Sequence, residues 1–206
     1  MSRVPDLDPA TLSPEQRKVY EAILSGPRGR VVGPLRVWLQ SAELADRAQA
    51  LGAFCRFGTG LPARLSELAI LVTGAHWQAG FEWHAHAPIG LSAGLDAAAI
   101  EAIRVGKTPS FTKSDEAAVY GFAKELLDTR RVSDASYRRA VAELGQKSVI
   151  ELVGILGYYG LISMTINAFE VPLPEGAPQP FASEHSPEKA AAGFPPAGAT
   201  NIESRA

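Results

Sequence analysis

The chain has 206 residues, 46% of them hydrophobic, with a formal net charge of -2 and a single cysteine, Cys55. That length fits one domain with tails and supplies enough apolar side chains for a core. Near-neutral charge with no run of Lys or Arg excludes a surface built to bind nucleic acid electrostatically. A lone cysteine excludes an internal disulfide or dithiol redox cycle and fits a reducing compartment.

Residues 1–12 read as an irregular N-terminal arm. They lack the apolar centre of a secretory signal, and no segment reaches the roughly 18 consecutive apolar residues of a membrane span. The richest window, residues 149–168, is interrupted by Glu151, several glycines, Ser163, Thr165 and Asn167. The expectation is a cytoplasmic protein that neither crosses a membrane nor binds nucleic acid.

Ser13-Pro14-Glu15-Gln16 is a helix start, with Ser as N-cap, Pro at the first position and Gln at the third. Val19, Tyr20, Ile23 and Leu24 continue that helix to Gly26. Residues 26–34, GPRGRVVGP, form a basic, glycine-rich loop that could edge a pocket for an anion or simply connect helices at the surface. A short helix follows over 34–40. A longer one over 42–57 places Leu44, Ala48, Leu51, Phe54 and Cys55 on one apolar face, where Cys55 reads as a small buried hydrophobe. Residues 63–78 are apolar on most sides, which implies burial. Gly80 breaks the run, and a second helix over 81–93 completes a hairpin. Asp96, Ser114 and Ser133 are the expected N-caps of three further helices. A last helix over 148–169 is apolar and carries Gly154, Gly157 and Gly160, which permit close backbone approach. No stretch alternates with period two, so the fold class is all-α. The domain is placed at 13–174. Residues 175–206, rich in Pro, Ala, Gly and Ser, form a flexible tail, or an arm laid on a neighbouring subunit through Phe181 or Phe194. His185 falls in that tail.

The chemistry concentrates in residues 64–94, which hold His76, His84, His86, Trp77, Trp83, Glu67 and Glu82. Glu82 and His86 are four apart and share a helix face. Arg64 and Glu67 share a face of the preceding helix. If the hairpin packs these faces together, Glu67 approaches Glu82 and His86, and a buried carboxylate beside an imidazole makes an acid–base pair. The plainer reading is a structural Glu–His pair. His84 and His86, two apart, point in different directions, so the ligand count speaks against a metal site. Trp77 and Trp83 read as core or interface anchors.

The run RLSELAILVTGAHWQAGFEWHAHAPIGLSAGL resembles the core motif of the carboxymuconolactone decarboxylase-like family, which also includes alkyl hydroperoxidase D. The peroxidase branch has a Glu, a Cys twelve residues on, a second Cys three further and a His four after that. Here the Glu falls on Glu67 and the His on His86, while Ala79 and Glu82 occupy the cysteine positions. The resemblance spans roughly residues 13–174. It implies the helical bundle of the alkyl hydroperoxidase D type and a homo-oligomer, a trimer or a hexamer. Without the cysteine pair, thiol peroxidase activity is not supported. The decarboxylase branch, which lacks the pair and keeps Glu and His, is nearer. It implies a carboxy-lyase that needs no metal or organic cofactor, acting on a small unsaturated lactone acid. In that reading His86 is the acid, oriented by Glu67 or Glu82, with His84 a second candidate. Arg64 or Arg30 would hold the substrate carboxylate. A cofactorless isomerase using the same residues, and a non-catalytic oligomeric scaffold with a buried polar network, remain the alternatives.

Overall fold

A computed structural model describes residues 2–181. Those residues fold into nine α-helices without strands: α1 (Pro14–Ser25), α2 (Pro34–Trp38), α3 (Ala42–Ala53), α4 (Ala63–His76), α5 (Gly80–Ser92), α6 (Ala97–Arg104), α7 (Ser114–Thr129), α8 (Asp134–Leu144) and α9 (Gln146–Phe169). The all-α expectation is met.

The centre of the molecule is α4. Every residue from Leu65 to Gly74 is buried, because α5, α7 and α9 all pack against it. A helix apolar all round has no solvent face to offer, so the chain must cover it on every side. The second core helix is α9, which buries Leu152, Ile155, Leu156, Tyr158, Tyr159, Ile162 and Ile166. By length and composition α9 could cross a membrane, but 67% of its most apolar window is buried inside this bundle. Burial of such side chains is worth about 1.5–3 kcal/mol each, which fixes the bundle around these two helices.

Local signals place the surrounding helices. Ser13 and Gln16 complete a reciprocal capping box at α1. Asp96 accepts from the amides of Ala98 and Ala99 at α6, and Ser133 accepts from Ser136 at α8. Ser114, expected as a cap, is instead the first residue of α7, and its hydroxyl donates to Glu143 at 2.7 Å. The helix expected over 42–57 is interrupted. After Ala53 the chain widens into one π-helical turn, Phe54–Gly58. The inward face of α3 is also not the expected one. Ala45, Ala48, Gly52 and Cys55 point in, while Leu44, Leu51 and Phe54 are about half exposed. Small residues face the core here because Tyr158 already fills the space.

Two terminal segments are docked. The arm lies against the end of α9, with Arg3 N–H donating to Phe169 O at 2.9 Å and Arg3 paired with Glu170. The segment after α9 returns over α5, where Phe181 meets Trp83 edge-on at 5.4 Å and the Pro180 carbonyl accepts from Arg104. Phe181 thus packs on its own chain, whereas His185 and Phe194 lie outside the described residues.

The reversal between α4 and α5 is tight. Gln78 takes a left-handed conformation (φ 50°), and Ala79 N–H closes back onto Gly74 O at 2.9 Å. Asn167 of α9 donates to the Trp77 carbonyl at 2.6 Å and pins the turn. Gly80, expected to separate the two helices, is the first residue of α5; the turn is made by Gln78. Its register decides which residues of α4 and α5 face each other.

Candidate active site

Glu67 stands one turn into α4 and His86 stands midway along α5. The hairpin brings them together across 19 residues, and His86 Nδ1 lies 2.7 Å from Glu67 Oε2 in a buried hydrogen bond. On the other side of the ring, His86 Nε2 lies 2.9 Å from Glu82 Oε1, one helical turn earlier on α5. The latter distance is that of an ion pair. Its alignment is not that of a hydrogen bond, and Glu82 Oε1 is left buried without a hydrogen-bond partner among the described residues. We take the contact as charge against charge, because the in-plane N–H of an imidazole cannot be aimed by bending. Exposure is 5% for Glu67, 3% for Glu82 and 5% for His86. Tyr159 of α9 closes the third side, its ring edge-on to the imidazole at 5.3 Å and 83°.

The electrostatics follow from this cage. Burial favours the neutral imidazole, but the Glu82 charge and the hydrogen bond with Glu67 outweigh it and hold the His86 pKa up at about 9. His86 is therefore an imidazolium at neutral pH, with both ring nitrogens protonated and a carboxylate on each. The carboxylates sit at opposite nitrogens and do not converge on one point. Among the described residues no group of three or more His, Cys, Asp or Glu side chains is placed to hold a metal ion. Small residues leave room for the cage. A Cβ on Gly74 would stand 3.8 Å from Glu82 Cγ, and one on Gly90 would stand 3.6 Å from Glu67 Cβ.

The other candidates fall elsewhere. His84 is half-buried on a different face of α5, and among the described residues neither Glu67 nor Glu82 pairs with it. Arg64 reaches away from the cage to α7, where it pairs with Asp115 at 2.7 Å and with Glu116. Arg30 is exposed in the loop between α1 and α2. The arginine of that loop that enters the core is Arg28, whose Nη2 donates to Tyr158 Oη at 3.0 Å. No sequence periodicity marks it, since a loop residue and a helix residue 130 positions apart share no pattern. Cys55 is 1% exposed and unpaired; burial pushes its thiol up, and the nearby Arg28 charge pulls it only partly back. Such a thiol carries little thiolate at neutral pH.

Clefts open on the surface of the described residues, two of them sizeable. One of about 490 Å³ lies between α4, α6, α7 and the Pro180–Phe181 turn, and its lining includes Ile103, Lys107 and Tyr120. The other, of about 660 Å³, lies between the π turn and α9 and is lined by Leu51, Phe54, Cys55, Ile150 and Gly154 among others. Neither is lined by Glu67, Glu82 or His86, so neither marks the cage directly.

The sequence matches no protein-family model and no curated protein. Solved structures do match the fold. An uncharacterised peroxidase-related protein from Ralstonia eutropha JMP134, described as an alkylhydroperoxidase AhpD core, superimposes with a TM-score of 0.70 at 16% identity, over 84% of this chain and 93% of that one. A peroxidase-related protein from Silicibacter sp. TM1040 gives 0.68 at 14% identity, over 84% and 92%. A variant of the debrominase Bmp8 in complex with 2,3,4-tribromopyrrole gives 0.67 at 13% identity, over 85% and 95%. The chain has the alkylhydroperoxidase D-like fold.

Proposed function

We propose that this protein is a cofactor-independent enzyme of acid–base type, a carboxy-lyase acting on a small unsaturated lactone acid or a related carboxylate. The observation that carries the reading is His86, held as an imidazolium between two buried carboxylates where a redox motif would hold a thiol. Loss of CO2 breaks a carbon–carbon bond and leaves its electron pair in a conjugated enolate. That carbanion needs a proton at carbon, and His86 Nε2 is the donor. Glu67 keeps the ring in place through Nδ1, and Glu82 offsets the charge before transfer. A proton taken from water restores the imidazolium. His84 is the second candidate donor; Arg64 is already paired with Asp115 and Glu116 and Arg30 is exposed, so neither holds the carboxylate in this reading.

Fold neighbours support a catalytic role. The debrominase neighbour is seen with a tribromopyrrole, so the architecture accommodates a small unsaturated ring. Thiol chemistry is not part of this reading, because the single cysteine is buried with a raised thiol pKa. A homo-oligomer is. Ile150, Val153 and Met164 of α9 are exposed on the helix that carries the open Gly154 and Gly157, and Leu51 and Phe54 share a cleft with Ile150 and Gly154. An apolar stripe of this kind is suited to a second copy.

Candidate lactone acids incubated with the protein test the reading through CO2 release. The expected result is turnover by the wild type and loss of it in His86→Ala and Glu67→Gln; wild-type rates in both variants would sink it. A non-catalytic scaffold is the second reading, favoured by the near-complete burial of the cage. It predicts that the same variants change only stability, with no substrate turned over by any form.

A further inference from the structure

Arg28 is a charged group in search of a partner. It enters from the loop between α1 and α2, is half-buried, and donates from Nη2 to Tyr158 Oη. Its Nε is buried with no acceptor, and among the described residues no carboxylate stands within ion-pair distance of it. A guanidinium brought out of water without a counter-charge or a full set of acceptors is costly, and orphaned buried donors of this kind mark places where something else binds. The place is shaped for the arginine. A Cβ on Gly52, where α3 runs on into the π turn, would lie 2.0 Å from Tyr158 Oη and 2.3 Å from Arg28 Nη2. Glycine is disfavoured inside a helix, so its presence there is a cost borne for the Arg28–Tyr158 pair.

The arginine is also continuous with the cage. The Tyr158 ring meets the Tyr159 ring edge-on at 5.3 Å, and Tyr159 meets His86 at the same distance. Among the described residues three further polar atoms are buried without hydrogen-bond partners: Tyr159 Oη, Ser163 Oγ and Glu82 Oε1, the last of them against the His86 imidazolium. The line thus offers unused donors at Arg28 Nε and at the Tyr159 hydroxyl. Cys55, close enough to Arg28 to feel its charge, also lines the 660 Å³ cleft beside the π turn. A π-helical turn at this point fits a functional edge.

We propose that Arg28 is the anion anchor of the His86 site, holding a carboxylate of the small molecule that reacts there. This rests on the acid–base reading above and adds to it the residue that binds. An arginine suits the task because its planar fork presents Nε and an Nη to the two oxygens of a carboxylate together. Arg64 is held by two carboxylates of its own and Arg30 is exposed, so neither shows the same unmet demand.

The test is a titration of the full chain with benzoate, followed by the Nε–Hε cross-peak of Arg28 and by Tm. The expected result is a saturable shift of that cross-peak and a rise in Tm, with neither produced by benzyl alcohol. Arg28→Gln is expected to weaken benzoate at least about tenfold, the loss of a charge-assisted pair. Arg28→Lys keeps the charge and the stem but loses Nε, and is expected to recover only part of the affinity; it carries the test should the Gln variant not fold. Undiminished binding in either variant, or no saturable binding to the wild type, overturns the proposal. The two readings fail separately. Arg28-dependent benzoate binding without CO2 release from any lactone acid leaves the anchor standing and removes the lyase. Turnover with an unchanged KM in Arg28→Gln removes the anchor and leaves the lyase.

Discussion

Two clusters in this molecule set a cation between two carboxylates, and in one of them Lys113 adds a second cation 3.3 Å from Glu116. At one end of α4, Arg64 sits between Asp115 and Glu116; one turn on, Glu67 meets His86, which Glu82 faces from its other side. Each ties α4 to a neighbouring helix. They differ in what the cation can do. Hydrogen bonds to Asp115 raise the Arg64 pKa still further, so that cluster never exchanges its proton near neutrality. The imidazolium of His86 is held near 9, within reach of both acid and base chemistry. The first arrangement is a staple and the second is a proton store. Their functional difference lies in the residue at the centre, not in proximity.

Removing each centre gives the largest contrast. His86→Ala is expected to lower turnover by about 10²–10⁴-fold, the usual contribution of a positioned acid. Arg64→Met should leave the chemistry in place and cost stability instead. Leaving Asp115 half-buried without its cation, and buried Glu116 with only Lys113, costs about 2–4 kcal/mol. Steady-state rates and urea denaturation of the two variants check both halves. A collapse of turnover in Arg64→Met with an intact midpoint would erase the distinction.

The clusters also respond to opposite ends of the pH scale. The folded-state pKa of His86 is raised above its ordinary 6.5 to about 9. Its contribution to stability is therefore fully present below about pH 6.5 and is lost as pH rises through 9, because the folded state then binds more protons than the unfolded. That loss is on the order of 3 kcal/mol and should vanish in His86→Gln. Asp115 runs the other way. The Arg64 hydrogen bond holds its carboxyl below the usual aspartate range, so that stability is present at neutral pH and lost only as acid protonates it. Tm measured from pH 2 to 10 in wild type, His86→Gln and Asp115→Asn separates the two limbs.

Much of this contrast could be read in the sequence, and its failures are physical. Glu82 and His86 share a face by spacing alone, and the burial of α4 follows from an apolar run with no polar side. The hairpin expected to bring Glu67 to His86 does so. The partner of Arg64 was not legible. Asp115 and Glu116 lie 51 and 52 residues away, and an arginine next to a motif reads equally as a binding residue. Arg28 was missed for the same reason, as loop residues carry no period. The π turn at Phe54–Gly58 was hidden because FCRFG reads as continuing helix. The α3 face was misjudged because hydrophobicity favoured Leu44 and Leu51, whereas the space beside Tyr158 admits only small side chains.

The smallest expected effect tests how tightly the proton store is packed. A methyl on Gly74 of α4 would meet Glu82 Cγ at 3.8 Å, ordinary van der Waals contact. Gly74→Ala should therefore gain about 0.5–1 kcal/mol from helix propensity, with the His86 pKa unmoved. A methyl on Gly90 of α5 would come within 3.0 Å of Leu95 Cδ1 and 3.1 Å of Leu71 Cδ1, between side chains that are themselves buried. Both leucines must yield, so Gly90→Ala should lose about 1 kcal/mol despite the same gain in propensity. Histidine ring resonances followed across pH report the pKa in both variants, and Tm reports stability. If Gly74→Ala lowered the His86 pKa, Glu82 would be held by the glycine's empty space rather than by its own charge contact.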